Sequence, residues 1–364
     1  MASTFKNFAA SDVATTRTLL HEAIPVTGTI VSGTYKDENI KYFSSGLFTS
    51  VFDYPFLSSS ANHIFDITAG YASDSVAPDE SPLAGASSVQ NQKKINIYNQ
   101  FAQVLVGSDV NGNIQKFDQD GNITAGGTKM NSAFFISFGR LLSKDEIKKG
   151  SFTLSLFTSN SLGGGYYTDP GKRSGLQVIG DYGAATSYFV NSPTGEYALL
   201  YTGSADAGDT SKSVGHLYYQ AGVAVITSSI FPDNTPTITT ASLFSSIPTG
   251  SVEDVFVSGT IDECANIIRY VFNDLNFNNT TELNSTIYFC RANTSEYNYS
   301  SNPTYLNSSK IVVKGENAFA EPVSYITTVG LYSADNELLA VAKLSEPLKK
   351  TPSNEVTLRV RLDY

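Results

Sequence analysis

The sequence predicts an α+β, β-rich protein with mixed sheets or a sandwich-like core, about three helices and an inserted β-rich lobe. Three observations carry this. Charged residues are only 16% of the 364, against about 25% in an average soluble chain, and Ser, Thr, Asn, Gly and Tyr fill the gap. Tyr and Thr favour strands, while Ser, Asn and Gly favour the turns between them. Most apolar runs are short and rich in aromatic and β-branched residues, and only three stretches show helical spacing.

The first expected helix lies near Asp12 to Glu22, where Ser11 or Asp12 is placed to cap "VATTRTLLHE". The second is "SSVQNQKKINIYNQFAQVLVG", with Ile95, Tyr98, Phe101, Ala102 and Leu105 at helical spacing. The third opens at Thr260, where "TIDE" fits a capping box, and Ile267, Ile268, Val271, Phe272 and Leu275 mark its buried face. A short capped turn is expected at "SKDEIKK".

Strands are expected at "NSAFFISFGRLL", "GSFTLSLFT", "EYALLYT", "HLYYQAGVAVITSSIF" and "STIYFCRA", then at "SYITTVGLY", "ELLAVAKL" and "EVTLRVRLDY". In the last, Val356, Leu358, Val360 and Leu362 alternate with polar residues, which predicts a half-buried strand. The hairpin around Ser333 to Asn336 is apolar on both faces. Val329, Leu331, Leu339 and Val341 are therefore expected to be buried within the monomer, with Gly330 allowing a close approach by backbone or an aromatic ring.

Linker-like stretches occur at 73–88, 159–175 and 231–251. They suggest a discontinuous α+β core of residues 1–158 plus 251–364, with 172–230 as a β-rich inserted lobe. No fixed-period repeat emerges.

Net charge is −10, which disfavours a nucleic-acid partner, since such binding gains from basic residues neutralising phosphates. No apolar run approaches the ~20 residues that span a bilayer, and no apolar core for a signal peptide is present, so neither a membrane nor an exported state is expected. Synthesis in a cytoplasm is the expectation, with Cys264 and Cys290 reduced and buried.

Chemical motifs are weak. "GGGYYTDPGKRSG" places five residues between Gly165 and Gly171, with Arg173 where a phosphate-binding loop needs a hydroxyl, and reads as a surface loop. "DVNGNIQKFDQDGN" puts Ile114 and Asp120 at the sixth and twelfth positions of a would-be calcium loop, so it reads as Asx turns. His21, His63 and His216 are far apart in sequence, and neither a CxxC nor a GxSxG occurs. No catalytic residue, cofactor or metal is implied.

At the C-terminal half, "YFCRANTSEYNYSSNPTYL" followed by "SYITTVGLYSADNELLAVAKLSEPLKKTPSNEVTLRVRLDY" resembles the C-terminal region of virion structural proteins from contractile-tailed bacteriophages, the T-even-like myoviruses of marine bacteria and cyanobacteria. "TRTLLHEAIPVTGTI", "NQKKINIYNQFAQVLVG" and "FFISFGRLLSKDEIKKGSF" resemble the same group, and residues 172–213 are least covered. The resemblance implies a non-enzymatic virion protein, made in the host cytoplasm and present in many copies in a symmetric assembly. Its partners would be other tail or baseplate subunits. A baseplate wedge is the leading position, with neck or head surface as alternatives, and a receptor- or carbohydrate-binding tail module as the other reading. It also marks Tyr297, Tyr299, Pro303 and Tyr305 as candidate interface residues. Low charge density and tyrosines on a constrained loop agree with that, because interfaces enrich aromatic residues and deplete Lys and Glu.

Overall fold

The computed structural model describes residues 5–25, 37–73, 89–122, 127–158, 175–231, 252, 255–256, 259–300, 302–303, 306–307, 310–311 and 321–364. It is β-rich, as expected, with three α-helices among the described residues. The chain divides into two compact units, Met1–Leu20 with Glu282–Tyr364 (unit 1) and His21–Thr281 (unit 2). The boundaries fall within two long strands, β1 (Val13–Pro25) and β13 (Phe272–Ala292).

Unit 2 is built on a large sheet. From β13 its order runs β7 (Thr153–Phe157), β8 (Leu176–Gly180), β10 (Gly195–Tyr201), β11 (Ser213–Tyr218), β12 (Val223–Thr227), β5 (Ser132–Phe138), β4 (His63–Tyr71), β3 (Thr49–Phe52) and β2 (Ile40–Tyr42). β6 (Glu146–Ile147) joins β13, and β9 (Phe189–Ser192) joins β10. The pairing of β12 with β5 runs from Val223↔Ser137 to Thr227↔Ala133, antiparallel throughout. Residues 172–230 thus do not form a lobe of their own. Their strands complete the middle of the sheet between β7 and β5, because the edges of β7 and β5 need backbone partners that only these strands supply.

The alternation of side chains sorts two apolar layers. Phe134 and Ile136 of β5, with Ala224 and Ile226 of β12, join Ile267, Ile268 and Val271 of helix α3 (Ile261–Val271). Ala133 and Phe135, with Val223 and Val225, join Ile97, Tyr98 and Ala102 of helix α1 (Val89–Leu105). Phe101 stacks on Phe135 at 4.3 Å. The α1 assignment follows the predicted spacing, with one addition: Lys94 is wholly buried, donating to the Phe256 carbonyl at 2.5 Å. Burial holds its ammonium below the ordinary range.

Helix α3 starts as predicted. The Thr260 hydroxyl accepts from the Glu263 N–H at 3.2 Å, and the Glu263 carboxylate accepts from the Thr260 N–H at 2.5 Å. It ends earlier than predicted, so Phe272 and Leu275 open β13 instead. At "SKDEIKK" no capped turn starts. A short helix α2 (Arg140–Ser143) ends there, Lys144 takes φ 53°, and Glu146–Ile147 pair as β6.

The predicted first helix is a strand. Val13, Thr15, Thr16 and Thr18 are β-branched and stiff at χ1, and β1 lies beside β13 in the sheet. The expected cap survives only as a single 3₁₀ turn at Ala10–Asp12.

In unit 1, β13 from Ser285 to Ala292 pairs antiparallel with β18 (Val356–Asp363). β18 shows the predicted alternation of half-buried and exposed residues along its full length. β14 (Leu306–Asn307) pairs with β15 (Lys310–Ile311). β16 (Ser324–Tyr332) and β17 (Leu338–Lys350) form the predicted hairpin as a sheet of their own. Its turn is closed by Ser333 N–H donating to the Glu337 carbonyl at 2.8 Å, with Asn336 at φ 63°.

The burial expected for that hairpin is not found. Leu331 is buried and Val329 half-buried, but Leu339 is 67% and Val341 50% exposed. The two-sided cover exists elsewhere: β5 and β12 take it, between α1 and α3. Gly330 does admit a ring, since a Cβ there would lie 2.9 Å from Tyr332.

Candidate functional site

Unit 1 holds a cleft of about 720 Å³. Its walls are the N-terminal segment around Phe5 to Phe8, the end of β13, the loop carrying Tyr297 and Tyr299, and the whole of β16. Phe5 packs on Tyr332 with ring centroids 4.7 Å apart. Tyr299 is 59% exposed.

Two ion pairs set the N-terminal wall. Arg291 Nε donates to Asp12 Oδ1 at 2.7 Å, and Lys6 Nζ meets Glu296 Oε2 at 2.5 Å while also donating to the Arg291 carbonyl. The Ala9 N–H and the Arg291 guanidinium hold the Asp12 carboxyl below its ordinary range. Lys6 and the Asn293 N–H do the same for Glu296.

The tyrosine loop is held from beneath. Lys350 is wholly buried at the end of β17, and its ammonium donates to the Asn298 side-chain oxygen at 2.8 Å, the Thr351 carbonyl at 2.8 Å and the Thr294 carbonyl at 3.3 Å. The Ser324 hydroxyl donates to the Tyr297 carbonyl. Tyr297 sits at φ 55°, a left-handed conformation that costs a bulky residue about 1–3 kcal/mol and persists only when its surroundings enforce it.

Of the four residues singled out in the sequence, Tyr297 and Tyr299 line the cleft, Pro303 is exposed and does not line it, and Tyr305 lies outside the described residues. Sequence reasoning did not find Phe5, Lys6, Asp12, Arg291 or Lys350. The only available signal for Lys350 was a lysine pair closing an apolar strand.

Unit 2 holds polar groups of its own. His216 is buried, its Nε2 2.6 Å from the Asp118 carbonyl, and burial lowers its pKa to about 4. Burial raises the Asp118 carboxyl, which pairs with Lys129. His63 meets Asp66 at 2.9 Å, and His21 meets Thr280 at 3.1 Å. Both cysteines are free thiols. Cys264 is buried as expected, and burial raises it to about 12, whereas Cys290 is only half-buried. Among the described residues, no three His, Cys, Asp or Glu side chains gather as a metal site requires. The stretch from Gly163 to Ser174 lies outside the described residues.

No protein family, curated protein or solved structure matched the chain.

Proposed function

We propose that the chain is a non-enzymatic structural protein of a contractile-tailed phage virion, a wedge component of the tail baseplate acting through protein–protein interfaces. The observation that supports the interface role is the placement of apolar side chains in unit 1. Among its described residues only Ile287, Ala292 and Leu331 are buried hydrophobics, while fifteen large apolar or aromatic side chains are exposed. Exposed apolar surface concentrated in one region marks an interaction site. The phage assignment rests on the segment resemblances, and a neck or head-surface position would use the same surface. The two most deeply buried carboxylates, Asp118 and Asp181, give an enzyme reading no support, because each is held by partners within the fold and closed to solvent.

Immunogold electron microscopy of intact virions, with antibody against this chain, tests the proposal. Label at the distal tail plate is the expected result, and label at the neck or head would move the same role elsewhere. Label at fibre tips would favour receptor binding. Absence from both intact and disrupted particles would sink the virion role.

A further inference from the structure

The two strands of the terminal hairpin differ at their free edges. β17 carries the devices that natural sheets use to prevent unwanted pairing. Between Ile326↔Leu348 and Thr328↔Lys343 it bulges, and Lys343, Glu346 and Pro347 lie in or beside that bulge. A proline at such a place is compatible with an edge and removes a donor from it.

β16 has none of these. "SYITTVGLY" is nine residues with no charge and no proline. Its only partner among the described residues is β17. In an antiparallel pair, alternate residues turn their N–H and C=O groups towards the partner, and the others turn theirs outward. All nine residues of β16 line the cleft, so the strand borders open space along its whole length.

The charges of the cleft select the occupant further. Lys6 is matched by Glu296 and Arg291 by Asp12, so the walls leave no charge of either sign to attract a charged segment. Unit 1 as a whole has ten acidic and ten basic residues. What remains on offer is a row of backbone donors and acceptors flanked by aromatic rings, including Phe5, Tyr297 and Tyr325.

We propose that the free edge of β16 docks an extended, uncharged segment of a partner protein as a third strand, with its alternate apolar side chains packed against the aromatic walls of the cleft. Main-chain hydrogen bonds supply the affinity in this mode, and the pockets for alternate side chains supply selectivity. The inference rests on the assembly reading only in taking the partner to be a polypeptide.

The test uses the full chain and a labelled nine-residue peptide of alternating threonine and valine, with two further versions N-methylated at the odd or at the even positions. Binding is read by fluorescence anisotropy and its location by amide hydrogen exchange. The unmethylated peptide should bind and protect β16. Methylation of one parity should weaken binding by about tenfold or more, and methylation of the other should leave it intact, because only one set of peptide N–H groups faces the edge. Tyr325→Lys, at an exposed position, should weaken binding without lowering the thermal midpoint.

No binding at millimolar peptide, equal effects of both methylations, or protection away from β16 would each overturn the proposal. So would a homodimer that itself protects β16, or an oligosaccharide bound in the cleft and lost in Tyr297→Ala. The virion role fails separately. A chain found in the tail plate that ignores the peptides sinks the strand site alone, and edge-specific binding by a chain absent from virions sinks the virion role alone.

Discussion

Asp181 is buried, with its carboxylate accepting from the Gly150 N–H at 2.6 Å, the Phe152 N–H at 3.0 Å and the Tyr219 hydroxyl at 2.7 Å. Burial outweighs those three donors and pushes its pKa from 3.8 up to about 6. The folded state therefore keeps this proton to higher pH than the unfolded chain does. Its contribution to stability is complete below about pH 4 and is lost as pH rises through 6, by up to about 3 kcal/mol. His216, lowered to about 4 by burial, acts in the opposite direction over the same window, so the test is the difference between wild type and Asp181→Asn in denaturant unfolding at pH 4, 5, 6 and 7. Wild type should lose stability relative to Asp181→Asn as pH rises from 4 to 7, and a difference that stays constant over this window would contradict the assignment. Lys350→Met is expected to cost about 1–3 kcal/mol, since it removes a buried ammonium that satisfies the buried Thr351 carbonyl and also ties down Asn298 and Thr294. Unfolding in urea measures it, and the Tyr297 loop should lose hydrogen-exchange protection with it. Neither residue was legible in the sequence. An isolated aspartate or lysine carries no sign of which distant backbone groups will converge on it.

At the level of elements, legibility followed the strength of the periodic pattern. Helix α1 and strand β18 each repeat their pattern over several turns or pairs, and both were read correctly. The region after Asp12 was misread because a plausible cap outweighed a β-branched run, and the partner strand β13 lies more than two hundred residues away. The terminal hairpin was placed correctly but its burial was not, since apolarity on two faces states a need for cover without naming the cover. The packing of α1 on β4 gives a sharp test. At Gly70 a Cβ would lie 2.5 Å from the Lys94 carbonyl oxygen and 2.8 Å from the Tyr98 nitrogen, both backbone atoms. Gly70→Ala must therefore push the helix off the strand, at a cost of about 1–3 kcal/mol or more. Chemical denaturation would show it. An unchanged midpoint would mean that α1 does not approach β4 this closely.

On the scale of the whole molecule, charge and apolar surface are divided between the units. Unit 2 has twenty-four acidic and fourteen basic residues and so carries the entire net charge of −10, whereas unit 1 is neutral. Unit 2 also contains both apolar core clusters, so its stability rests on its own packing. Unit 1 exposes its apolar residues, including Leu338, Leu339 and Val341 on β17. The sequence showed the low overall charge but not this division, because the unit boundary falls inside two strands rather than at a linker. Two expectations follow for the isolated chain and for assembly. Replacing Leu339 and Val341 with Thr should change the unfolding free energy of the isolated chain by no more than about 0.5 kcal/mol, since exposed positions contribute little. Under the proposed virion role, the same double substitution should weaken incorporation into particles, measured by quantitative mass spectrometry of purified virions. Because unit 1 is neutral and its cleft charges are already paired, association through it should change little between low and high salt. Association through the acidic surface of unit 2 would instead depend steeply on ionic strength. A salt titration of the partner complex therefore distinguishes the two, and a strong salt dependence would place the contact on unit 2.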